Sequence, residues 1–341
     1  MVKFLPVLKH ILPWLAALAI FGYLFHLYPI AQVWKAAQYV QPLAFSLFAL
    51  GYFLFIFLTD TAVTRWVIAR FAKPIPFFDI LGARGVTYLI MVLNYPASQA
   101  AFAYYLKRRY SIPIFHCLSM FLLIVVVDLL WVTTLGFAGS FVSTVQLGTV
   151  NLQPTIQIAA LCIYVGFFLW LLFWRKKFRF PFLEKFRTHP SFSIFAQAKL
   201  SDYLSIAIMR IPIHFTLIIS MYIVVQTFQT HIPFLEILAK LPVVFFIGTI
   251  PITPGGLGTT NAAMVELLAP SMVSSIFAEG KVTPAELMFT ITILWVFANY
   301  VLKILSGMFF LKRISKNLFK PTPDVPLEKA EKAAPHLGGN I

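Results

Sequence analysis

The chain predicts an all-α integral membrane protein of about six transmembrane helices plus two re-entrant helical hairpins of opposite orientation. Three observations carry that expectation. Hydrophobic residues make up 60% and charged residues 11%, with a mean hydropathy of +0.85, which leaves too little polar surface for a soluble globule of 341 residues. Six apolar runs are each long enough, at ~1.5 Å per residue, to cross a hydrocarbon layer of ~30 Å. Two further apolar stretches are broken midway by proline, glycine or asparagine, where a continuous spanning helix would not survive.

The six runs cover residues 11–28, 42–63, 112–136, 154–174, 203–228 and 284–310. Lys3, Lys9 and His10 precede the first and divide the early apolar stretch. It therefore reads as an uncleaved span, although Ala17-Leu18-Ala19 has the small-residue spacing of a cleavage site. Net charge is +15, but the cations fall in short clusters between apolar runs rather than along one soluble face, which argues against a nucleic-acid partner. Arg65, Arg70, Lys73 and Arg84 follow the second run, Arg175, Lys176, Lys177 and Arg179 the fourth, and Lys312, Arg313 and Lys316 the sixth. The positive-inside rule puts these clusters and both termini in the cytoplasm, and the cation-poor connections 29–41, 137–153 and from 229 onward outside.

Topology then sets the two interrupted stretches. The hairpin at about 77–109 starts near Lys73 and ends at Lys107-Arg108-Arg109, broken at Asn94-Tyr95-Pro96, so it enters and returns on the inner side. The hairpin at about 233–270 starts near His231 and ends before Glu279, broken by Pro251, Pro254, Gly255, Gly256 and Gly258, so it enters and returns on the outer side. Each hairpin with its flanking spans forms a unit, and the two units run in opposite senses, the inverted-repeat pattern of secondary transporters. A weak echo aligns residues 96–106 with 254–264. The membrane domain runs over 1–319, with a cationic, Phe-rich interfacial segment at about 175–200 expected on the cytoplasmic lipid surface. Residues 320–341 have the composition of a disordered cytoplasmic tail.

Few groups in these runs carry chemistry. Gly255, Gly256 and Gly258 permit positive φ and convergent backbone N–H groups at the start of a helix, which suits a phosphate; the alternative is a tight turn for close packing. The motif lacks the lysine of a nucleotide loop. Asp128 lies well inside its span, for proton coupling, substrate contact or a structural hydrogen bond. Arg210 and His214 share one helix face, as do Asn299, Lys303 and Ser306 on another, each a polar stripe toward mid-membrane. Snorkelling to the cytoplasm is the other reading of Lys303. Asp60, near Thr64 and Arg65, reads as a cap or local ion pair, with a transport role as the alternative. Cys117 and Cys162, and the lone His26 and His116, have no metal-ligand spacing, and no metal or cofactor is expected.

Pro254-Gly-Gly-Leu-Gly with Asn261-Ala-Ala-Met-Val-Glu-Leu-Leu, together with Leu93-Asn-Tyr-Pro-Ala-Ser, Tyr104-Tyr-Leu-Lys-Arg and Asp128-Leu-Leu, resembles the lysylphosphatidylglycerol synthase transmembrane-region family, also called flippase-like membrane proteins. The resemblance implies a bacterial-type inner-membrane protein that moves, or helps to move, a lipid or lipid-linked molecule between leaflets. Where relatives often carry Gly-Glu and Arg-Glu, this chain has Ala100-Ala101 and Thr260-Asn261, so their charged contacts do not carry over. The synthases add a large soluble domain for which nothing after Phe310 leaves room, and the chain is not expected to be an enzyme by itself. The expected site places an anionic headgroup between the hairpins, at Gly255, Gly256, Gly258, Asn261, Arg210, Lys303 and Asn299, with Asp128 and His214 in coupling. Membrane lipids are the expected partners. The rival readings are a carrier of a soluble anion and an accessory subunit of a lipid-modifying membrane enzyme.

Overall fold

Backbone amides inside hydrocarbon find no water, so an apolar run satisfies them by closing its own helix. The computed structural model describes residues 4–175, 184–250, 252–253 and 256–318, and its architecture is that of an all-α, multi-pass membrane protein. The first run forms α1 (Phe4–Leu27), and Pro29, which lacks a donor, starts the short α2 (Ile30–Ala37) after a bend of 74°. Pro42 then opens α3 (Pro42–Phe71), about 45 Å long and so projecting beyond a ~30 Å core. The next two helices, α4 (Phe77–Met91) and α5 (Tyr95–Tyr110), are only about 22–24 Å long, too short to span singly. Asn94 ends the break between them by capping α5, its Oδ1 accepting from the Ala97 amide at 2.8 Å.

A long α6 (Ile114–Gly139) leads to a small hairpin, β1 (Gln146–Leu147) paired antiparallel with β2 (Val150–Asn151), and then to α7 (Gln153–Trp174). Two short helices follow, α8 (Glu184–Thr188) and α9 (Ser193–Gln197), before α10 (Leu200–Gln226). Asp202 caps α10 through the Lys199 amide at 2.8 Å and holds α3 through Arg70, also at 2.8 Å. The last elements are α11 (Phe234–Thr249), α12 (Thr259–Leu268) and α13 (Pro284–Leu318). Among the described residues, helices α3, α6, α7, α10 and α13 each have the length and apolarity of a span, which gives five, or six with the bent α1–α2 pair.

Each interrupted stretch folds back on itself. In the first pair Ser98 Oγ donates to the Thr87 carbonyl at 2.8 Å near the break, and Tyr110 Oη meets Asp79 at the open end, so α4 and α5 run antiparallel. In the second, Lys240 Nζ reaches Ser271 Oγ at 2.7 Å at the open end, while the Gly248 and Gly256 backbones touch at the break. The two pairs approach α13 from opposite ends. Asp79 lies 3.8 Å from Arg313 near its C-terminus, and Asn261 Nδ2 donates to Thr292 Oγ1 at 2.9 Å in its first turns.

The buried core divides accordingly. One part gathers Ile68, Ile80, Phe102, Leu106, Met120 and Leu123 around the first pair, and the other gathers Val224, Phe228, Leu241, Val244, Leu268 and Phe289 around the second. Ile194 and Phe195 are buried in the first part, Phe195 stacking on Trp174, so these side chains of the cationic segment turn into the helices rather than toward the acyl boundary. Residues 176–183 and 319–341, and with them the expected tail, lie outside the described residues.

Candidate functional site

Four helices bring formal charges together in a single buried network. Arg210 on α10 grips Asp128 on α6 side-on, Nε to Oδ1 at 2.6 Å and Nη2 to Oδ2 at 2.5 Å, and sends Nη1 to Asp60 on α3 at 2.6 Å. The other oxygen of Asp60 accepts from Arg84 on α4. Nε2 of His214 lies 3.0 Å from Asp128 Oδ1, and its ring stacks on Trp131, whose indole N–H donates to the Ala207 carbonyl at 2.9 Å. The five side chains are between 5% and 26% exposed. Two carboxylates thus balance two guanidiniums, which is how buried ions avoid an uncompensated desolvation cost. Because Arg84 sits on α4, the network ties the first helical pair to three long helices.

Beside it lies a cavity of about 800 Å³, within the size range of ligand sites. Both breaks line it: Asn94, Tyr95 and Pro96 from the first pair, and Gly248, Thr253, Gly256 and Thr260 from the second. Trp295, Asn299, Tyr300 and Lys303 of α13 form one wall, and Pro13 and Trp14 of α1 close another. Lys303 Nζ lies 5.6 Å from the Tyr300 ring centroid and 6.0 Å from that of Tyr88, on α4. A second cavity of about 310 Å³, between α6, α7 and α11, is lined by Val132, Gly136, Ala160, Ile163, Val243 and Phe246 among others. Ile250, at the break of the second pair, borders both.

Of the residues expected at a site, Gly256, Asn299 and Lys303 line the large cavity. Arg210 is occupied by Asp128 and Asp60, beside His214, so it belongs to the charge network. Asn261 is pinned: its Oδ1 accepts from the Gly258 amide at 3.1 Å and its Nδ2 holds Thr292. Gly256 (φ 74°) and Gly258 (φ 86°) both adopt the left-handed region. A Cβ on Gly256 would come within 3.2 Å of Gly248, and one on Gly258 within 3.0 Å of Ile20, so close packing accounts for both. The Gly256 amide donates to the Thr253 carbonyl at 3.3 Å. Gly255 lies outside the described residues.

Sequence reading missed Asp60 and Arg84 as partners. Asp60 joins no local pair with Arg65, whose Nε goes instead to the Ile75 carbonyl at 3.1 Å. Arg84 is buried within α4, over the Phe102 ring at 5.6 Å, rather than in a cytoplasmic cluster. The signal was present: an arginine flanked by Gly82 and Gly85 inside an apolar stretch.

An all-α bundle with helices long and apolar enough to cross a bilayer several times, and with a buried, balanced ion network, defines a multi-pass integral membrane protein. Residues 11–307 match the family described as the lysylphosphatidylglycerol synthase TM region, and the chain belongs to that family. Searches of curated proteins and of solved structures found no match.

Proposed function

We propose that this protein translocates a lipid or lipid-linked molecule between leaflets, holding its anionic headgroup in the 800 Å³ cavity. The observation that carries the reading is the junction at Ile250: a cavity with Lys303 and Asn299 on its wall adjoins an apolar one, matching a ligand with a charged end and a greasy one. A soluble anion would have no use for the second cavity. The two helical pairs act as re-entrant hairpins from opposite leaflets in a bacterial-type inner membrane, both termini cytoplasmic, and rock to open the cavity alternately.

In this mechanism Lys303 and Asn299 contact the headgroup, Gly256 lets the second tip approach, and Asn261 and Gly258 set the tip's shape. Arg210 holds Asp128 and Asp60 in place. Asp128, held by Arg210 and His214 and linked through Arg210 to Asp60 and Arg84, is the coupling group: protonating it weakens its bond to Arg210 and so loosens the tether on the first hairpin. The test is leaflet exchange of labelled phospholipids and lipid-linked sugars in liposomes containing the purified chain. Exchange above protein-free vesicles is expected, flattened in its pH response by Asp128→Asn. No exchange at good reconstitution yield sinks the translocase, and co-purification of a lipid-modifying enzyme would then favour the accessory role.

A further inference from the structure

The lining of the large cavity is mostly apolar, with a minority of neutral polar groups and a one-sided formal charge. Asn94, Asn299, Ser220, Thr253, Thr260, Tyr52, Tyr95 and Tyr300 are its neutral polar residues; Ser220 Oγ donates to the Leu217 carbonyl, Thr260 Oγ1 to the Gly256 carbonyl and Asn299 Nδ2 to the Trp295 carbonyl, which leaves their oxygens as acceptors, and Lys303 is the single formal charge among the described lining residues. Among the described residues no carboxylate lines it: Asp60 and Asp128 are turned to the two arginines of the network. Lys303 itself is flanked by the ring faces of Tyr88 and Tyr300 and has no carboxylate partner among the described residues. An unpaired cation in a space of low dielectric favours an anion and repels a cation far more than it would in water.

We infer that the cavity selects a headgroup that is a phosphodiester joined to an uncharged, hydroxyl-rich group, such as glycerol or a sugar, and rejects one made cationic by an aminoacyl substituent. The inference rests on the headgroup reading above and sharpens it. Lys303 meets the phosphate, and the amides and hydroxyls bond the neutral polyol. A lysyl ester would bring ammonium groups to a wall with no acid to receive them.

Trp14 and Trp295 both line the cavity and report on its contents, so binding can be read without transport. The full-length chain in phosphatidylcholine nanodiscs is titrated with phosphatidylglycerol, a sugar-phosphoprenol, lysylphosphatidylglycerol and soluble glycerol phosphate, following tryptophan emission with Trp14→Phe and Trp295→Phe as controls. Phosphatidylglycerol or the sugar-phosphoprenol should shift emission saturably, whichever binds tighter naming the source, and lysylphosphatidylglycerol should bind about tenfold or more weakly. Lys303→Gln should erase that preference, and the comparison among lipids on the unaltered chain stands even if the variant misfolds. Equal or tighter binding of the lysyl lipid overturns the inference, as does binding of glycerol phosphate as tight as that of the lipids. Selective binding without leaflet exchange would uphold the headgroup class while removing the translocase.

Discussion

Arg210 engages two carboxylates with three nitrogens, so its loss would leave Asp128 and Asp60 buried with one guanidinium between them. Removing one member of a buried ion pair costs about 3–5 kcal/mol, mostly as the penalty of the charge left behind. Arg210→Met should therefore lower thermal stability in detergent by an amount of that order, and Asp128→Asn placed on top should restore part of it. A double-mutant cycle checks this, and purely additive losses would show that the two side chains do not act as a pair. The network could not be read from sequence because its partners lie 24, 82 and 150 positions apart and no local pattern joins them. Asp128 and Arg210 were conspicuous singly, as charges in apolar runs. Their mutual neutralisation belongs to the packed molecule alone.

The first helical pair is held against α13 by an absence of side chains. A Cβ on Gly85 would fall 2.5 Å from Phe310 Cδ2, and one on Gly307 would fall 2.4 Å from Leu89 Cγ and 3.1 Å from the Gly85 carbonyl. Small residues at such a contact let two backbones approach, the usual adhesive between helices where lipid removes the hydrophobic drive. Gly307→Leu should cost about 1–3 kcal/mol through overpacking. Gly166→Leu, on α7 with nothing within 4 Å of its Cβ position, should leave stability unchanged. Equal melting of the two variants would refute this packing account. Element limits were legible because proline, glycine and asparagine act locally: Asn94 and Pro96 mark the first break, and Gly256 and Gly258 the second. The short α2 was not, since Tyr28-Pro29 reads as the end of a span and 29–41 as a connection outside it.

At the scale of the molecule, everything proposed depends on how deep the two helical pairs go. Their antiparallel contacts put the ends of each pair on the same side whether the pair dips or crosses twice, so labelling the ends alone does not decide; the tips do. Helices of about 22–24 Å could cross a ~30 Å core only by thinning the bilayer around them. Both tips also border one cavity against the middle of α13, while the open end of the first pair lies near its C-terminus and that of the second, at Ser271, falls shortly before α13 begins at Pro284. The proposed carrier requires the tips to sit at mid-depth, which labelling tests. In a background lacking Cys117 and Cys162, Lys73→Cys and Arg109→Cys should react with a bulky impermeant maleimide from one face of the membrane. His231→Cys and Glu279→Cys should react from the other. The tip variants Leu93→Cys and Ile252→Cys should resist that reagent from both faces, yet react with a small methanethiosulfonate that enters with water. Should Leu93→Cys take the bulky reagent from the face opposite Lys73 as fast as Lys73→Cys does from its own, the first pair crosses completely. The cavity would then sit near one surface, with no second leaflet to which a hairpin could turn it.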